Sequence, residues 1–189
     1  MDEVSGDYAD QVTLTYAPAV YGGVVVDRDQ WVDVDLPGGA RWDMTWLHGI
    51  IDTSLQESEV PGFNRETRAT LTSWGASGAG IEITVALAET AFVSLGAALA
   101  RRVVAAVRER FRMPVVPTSL DRLVEQARQR VAVRHGVFAT DLRVVEQVDG
   151  TDVLRVTFAA GDGTLYEVEV DSREPWVQTV RRRTHLATG

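Results

Sequence analysis

Glu89 to Arg112 constrains the fold more than any other stretch of this chain. Advancing each residue by roughly 100° places Phe92, Leu95, Leu99, Val103, Ala106 and Val107 on one side, with Val93, Val104 and Phe111 widening the arc. Ser94, Arg101, Arg102, Arg108, Glu109 and Arg112 gather on the other side. An apolar arc this broad predicts an amphipathic helix lying across a sheet. Gly96 costs such a helix about 1 kcal/mol against alanine unless a neighbour crosses closely there. Just upstream, Ile81, Ile83, Val85 and Leu87 alternate with Glu82, Thr84 and Ala86, which is strand periodicity in largely β-branched residues. The pattern predicts a strand over 81–87 that turns into the helix near Glu89. A membrane span needs about 20 predominantly apolar residues, and the run before Arg101 approaches that. Glu89 falls near the middle of that run, where a charge is expensive, so the expectation is a core helix outside the membrane.

Pro114 and Pro117 break this helix, and Thr118 or Ser119 then offers an N-cap for a second. Leu120, Leu123, Val124, Ala127 and Val131 form its apolar stripe, opposed by Arg122, Glu125, Gln129 and Arg130, with Gly136 placed to end it. Strand-like runs follow at 142–148, 153–159, 166–170 and 176–180, the first two joined across Asp149-Gly150, a hairpin signal. Before the central helix, Val12, Leu14 and Tyr16 make a strand that Pro18 ends. Val32, Val34 and Leu36 alternate with Trp31, Asp33 and Asp35 in another. Trp42, Trp46, Ile50 and Ile51 suit a short helix, residues 56–66 read as a polar loop, and 68–74 reads as a strand. The fold class expected is α+β: antiparallel sheet packed against two principal helices, about 89–112 and 119–135, the second followed by a β-meander. Division into segments 1–113 and 114–189 is expected, their sheets separate or merged.

Charge is distributed unevenly. Residues 1–66 carry 13 acids and 3 arginines; residues 67–189 carry 14 acids and 16 arginines. A chain of net charge −8 with no basic stripe is a poor binder of nucleic-acid backbone, and its acidic N-terminal part suits a basic protein partner. Without cysteine, disulfides, thiolate catalysis and cysteine metal sites are excluded. Lysine is also absent, as codon bias in a GC-rich genome would explain, and this removes Schiff-base and P-loop lysines. The N-terminal MDEVSGDYAD shows neither a basic nor an apolar signal region, so a cytoplasmic location is expected.

The glycine-rich stretch Gly75, Gly78 and Gly80 resembles a phosphate cradle between strand and helix. Ile81 and Glu82 stand where a P-loop needs its cation and hydroxyl, so a flexible connection is expected there and no cofactor. Asp27, Asp29, Asp33 and Asp35 lack calcium-loop spacing and read as a solvated face. His48, His135 and His185 match no metal motif; His135, in the last turn of the second helix, suits the helix dipole as a partly charged imidazole. A triad can be written from Ser54, His48 and Asp52, but no nucleophile elbow supports it. Trp31, sharing a strand face with Asp33 and Asp35, is expected to be an exposed interface anchor.

The function expected is therefore a non-catalytic protein–protein interaction module of a soluble bacterial system: an adaptor, regulatory or assembly subunit meeting its partner through Trp31, Asp33 and Asp35. The alternative is a small-molecule-binding protein or hydrolase-like enzyme, with a pocket near Trp42, Trp46 and His48 closed by Gly75, Gly78 and Gly80. Self-association through the central helix is a further expectation. A glycine-rich loop opening an apolar helix beside a small sheet also resembles accessory modules of bacterial conflict systems, over about a third of the chain.

Overall fold

Alternation in β-branched residues does build strands here, and the one carrying Trp31 to Leu36 ends up in mid-sheet with both faces covered. The computed structural model of the chain describes residues 8–20, 25–26, 29–36, 41–71, 79–114 and 118–183. Its first strands are β1 (Tyr8–Ala9), β2 (Gln11–Val20), β3 (Val25–Val26), β4 (Gln30–Leu36) and β5 (Trp42–Asp43). Then come α1 (Met44–Glu57), β6 (Phe63–Leu71), β7 (Ala79–Leu87), α2 (Glu89–Phe111) and α3 (Leu120–His135). A 3-10 turn (Ala139–Asp141) leads into β8 (Arg143–Asp149), β9 (Val153–Ala159), β10 (Leu165–Asp171) and β11 (Val177–Arg183).

The large sheet is ordered β6-β7-β2-β4-β11-β10-β9-β8, with β3 alongside β2, while β1 and β5 form a small ribbon of their own. Every neighbouring pair is antiparallel except β2 and β7, which run parallel from Gln11 opposite Gly80 to Pro18 opposite Leu87. The α+β class and the helix-then-meander order of the C-terminal part are as expected. The two sheets are merged, because β11 hydrogen-bonds β10 on one edge and β4 on the other, with Val180 opposite Trp31.

Successive strand residues face opposite sides, so β4 feeds two cores. Val32, Val34 and Leu36 join Leu14, Tyr16, Ile83 and Val85 beneath α1 and α2. Trp31 joins Val156, Phe158, Val168 and Val180 beneath Leu123, Ala127 and Val131 of α3. The middle of the sheet is thus the centre of three layers, with helices on both faces. Helix α2 buries Phe92, Leu99, Val103 and Val107 against it, while Val93, placed on the apolar arc by spacing, is 69% exposed. Among the described residues α2 is long and apolar enough to cross a membrane, and 44% of that window is buried within the fold. Gly96 is needed for side-chain packing: a Cβ there would meet the Phe92 ring at 3.1 Å and Val32 at 3.6 Å. Arg112, at φ 50°, closes the helix in the left-handed conformation usually left to glycine. Helix α3 ends more cheaply, on Gly136 at φ 64°.

Three local expectations are corrected. Pro18 does not end β2, which continues to Val20; lacking an N–H, proline still fits where its ladder bond is not required. The strand expected at 68–74 begins earlier, with residues 63–66 pairing along β7, and residues 72–78 lie outside the described residues. Trp42 belongs to the ribbon strand β5, and α1 begins only at Met44 with Asp43 capping the Trp46 amide at 3.0 Å.

Leu99→Ala removes a fully buried side chain between α2 and the sheet and is expected to lower unfolding free energy by roughly 2–5 kcal/mol. Val93→Ala should change it by less than about 0.5 kcal/mol; urea titrations of both variants measure the contrast.

Candidate functional site

The face of the sheet under α3 is apolar over β9 and β10 and polar over β2, β4 and β7. Asp33 lies at the junction of these halves, 1% exposed. Burying a carboxylate there demands hydrogen-bond donors and a counter-charge. Thr15 Oγ1 donates to Asp33 Oδ1 at 2.7 Å and Trp31 Nε1 donates to Oδ2 at 2.9 Å. Arg130 of α3 brings its Nε to 4.0 Å from Asp33 and its Nη2 onto Asp35, which also accepts from Thr13 at 3.0 Å. Burial pulls the Arg130 guanidinium below its ordinary pKa, Asp33 raises it, and neighbouring Arg134 lowers it further. One turn on, Arg134 reaches Glu82 of β7 at 2.5 Å and lies over the Trp31 ring at 5.4 Å.

Trp31 is therefore 1% exposed, and the exposed-anchor expectation is corrected. It faces α3 in company with His135, whose ring is tilted against Trp31 at 4.9 Å and Tyr166 at 4.6 Å. Of the aspartates beside it, Asp33 is enclosed rather than solvated, while Asp35, paired with Arg130, keeps its side chain 47% exposed. His135 also departs from expectation. Burial lowers its pKa from the ordinary 6.5 to about 4, Arg182 and Arg134 add to the fall, and Asp29 and Asp33 oppose it. Its imidazole is neutral near pH 7, so it does not supply charge to the helix end.

Beside this network, α3 and the sheet enclose an open groove of about 550 Å³. Thr13, Asp35, Gln11 and Gln178 form its floor. Arg122, Gln126, Gln129 and Val133 line one flank of α3 at helical spacing, and Pro175 and Trp176 also line the groove. Glu125 of the same helix is already occupied, accepting from Arg128 and Gln129 at 2.7 Å each. Gln178 is 5% exposed, and its Oε1 has no hydrogen-bond partner among the described residues. A buried acceptor left open costs free energy in the unliganded chain and favours any ligand that brings it an N–H.

Near Trp42, Trp46 and His48, where a pocket is expected, aromatic side chains pack against one another. Phe111 of α2 inserts edge-on against Trp42 at 5.1 Å and Trp46 at 6.1 Å, and Arg110 caps Trp46 at 4.5 Å. His48 stands beside Asp52 and Arg65, which pair with each other. Burial and Arg65 lower its pKa, and Asp52 opposes them. Ser54 Oγ donates to its own helix at Ile50 O, 2.8 Å away, so the written triad does not assemble. Gly80 is a buried residue of β7 between Gln11 and Thr70, while Gly75 and Gly78 lie outside the described residues. Asp27 and His185 also lie outside them. Among the described residues no group of three histidine or carboxylate side chains is placed to hold a metal ion.

Sequence spacing missed Arg130 and Gln178. The one available signal was the pair Arg130 and Arg134, four residues apart on a helix and facing the same way as a strand bearing alternate aspartates. No family model matches the chain, and no curated protein or solved structure is similar to it.

Arg130→Met leaves Asp33 buried without its counter-charge and is expected to cost about 3–5 kcal/mol, with Asp33→Asn in that background recovering part of the loss. Stability should also fall as pH drops from 6.5 toward 4, because the unfolded chain binds a proton at His135 that the folded chain refuses. Urea midpoints at successive pH values should decline less steeply in His135→Phe.

Proposed function

We propose that the chain is a non-catalytic protein–protein interaction module, an adaptor, regulatory or assembly subunit, that seats an extended segment of its partner in the groove between α3 and the sheet. The open acceptor on buried Gln178 carries this reading, since a peptide N–H is the donor that satisfies it. Gln11, Gln126 and Gln129 add side-chain amides, which offer donor and acceptor together and match the alternating N–H and C=O groups of an extended backbone. Arg122 places a positive charge along the same flank, where it would select acidic side chains of the segment. A volume of about 550 Å³ accommodates a few residues of extended chain.

Display of random peptides against the folded protein is expected to enrich a segment whose binding weakens about tenfold in Gln178→Leu, the loss of roughly one charge-free hydrogen bond and its desolvated partner. Trp46→Ala, on the opposite face, should leave that binding intact. A metabolite that raises the melting temperature while no peptide is enriched would make the groove a small-molecule site instead.

A further inference from the structure

The two ends of the large sheet are built differently. At one end, β8 carries a register shift between Val144 and Glu146, the bulge with which edge strands discourage further pairing. At the other end, β6 pairs with β7 over nine consecutive residues with no shift, from Phe63 opposite Leu87 to Leu71 opposite Ala79. Among the described residues no strand covers the outer edge of β6. Its side chains Phe63, Asn64, Glu66, Thr67, Arg68 and Ala69 are exposed. Regular strand geometry points alternate N–H and C=O groups of such a strand away from β7, ready to hydrogen-bond another strand.

We propose that this edge is a self-association surface, on which β6 of a second copy pairs antiparallel about a two-fold axis at Thr67. The charge pattern selects both the occupant and the register. A two-fold axis perpendicular to the sheet sets one residue opposite its own copy and keeps each side chain on its original face. Centred on Glu66, the pairing puts two carboxylates face to face; centred on Arg65 or Arg68, it opposes two guanidiniums. Centred on Thr67, Glu66 of each copy faces Arg68 of the other, Arg65 faces Ala69, and all nine residues stay paired. Like charges directly opposite destabilise a ladder and unlike charges support it. In the single chain, Arg68 already grips Glu66 of its own strand at 2.9 and 3.0 Å, so the dimer joins two such pairs into a four-charge cluster. The interface is small, which makes the dimer reversible and concentration-dependent. It leaves the α3 groove of both copies opening on the same face of one continuous sheet.

Sedimentation velocity of the full chain from low micromolar to submillimolar concentration tests this. The wild-type chain should shift from monomer to dimer. Arg68→Glu and Glu66→Arg, both at exposed positions, should each weaken the dimer at least about tenfold, while circular dichroism melts stay unchanged. Mixed in equal amounts, the two variants should pair with each other, because one then presents carboxylates at both positions and the other presents guanidiniums opposite them. A wild-type chain that stays monomeric throughout overturns the proposal. So does a dimer indifferent to both substitutions, which would place the contact elsewhere, such as on α2, and so does a mixture that remains monomeric.

Discussion

A carboxylate buried at the centre of the sheet sets the terms for one whole side of this molecule. Asp33 is accommodated because Thr15, Trp31 and Arg130 converge on it, and Arg130 is available only if α3 lies directly above β4. Removing a partner from such a buried pair costs far more than the pair itself contributes. The charge therefore acts on where the helix sits more than on how stable it is. With Arg130 and Arg134 committed to Asp33, Asp35 and Glu82, the apolar stripe of α3 falls on β9 and β10, and its polar flank overhangs β2 and β4. The groove is the space that this offset leaves.

The opposite face works by area. Helix α2 lays a continuous apolar stripe across β2, β4, β7 and β11, with α1 and its aromatic residues packed beside it. Ion pairs at the margin, Arg101 with Asp171 at 2.6 Å and Arg108 with Glu174 at 2.8 Å, tie α2 to the last hairpin without entering the core. Arg101 is half-exposed, and a pair of that kind adds little stability and mainly fixes orientation, whereas Arg108 and Glu174 are largely covered, at 12% and 22% side-chain exposure. One face of the sheet is thus closed by hydrophobic burial. The other is closed only in part, around polar groups, and that is where the buried Gln178 acceptor is left without a partner among the described residues.

Insertion of the last strand between β4 and β10 joins these two halves. It merges the N-terminal and C-terminal strands into one ladder and gives β4 neighbours on both edges. The ends of the ladder are left to β6 and β8, of which only β8 is broken by a bulge.

Much of this architecture was legible in the residues. The faces of α2 and α3, the strand before α2, the Asp149-Gly150 hairpin and the antiparallel run that follows all rest on periodicity, capping and turn chemistry, which act within a few residues. The exposure of Trp31 was misjudged for a definite reason. Alternation shows which residues share a strand face, but a strand carries no mark of whether a distant helix will cover that face. The same limit hid Gln178, Arg130 and the groove, and the packing of Phe111 against Trp42 and Trp46. Local sequence determined the elements and their sides. Only the tertiary structure decided which polar side was buried, because pairing Asp33 with an arginine 97 positions away depends on how whole layers stack.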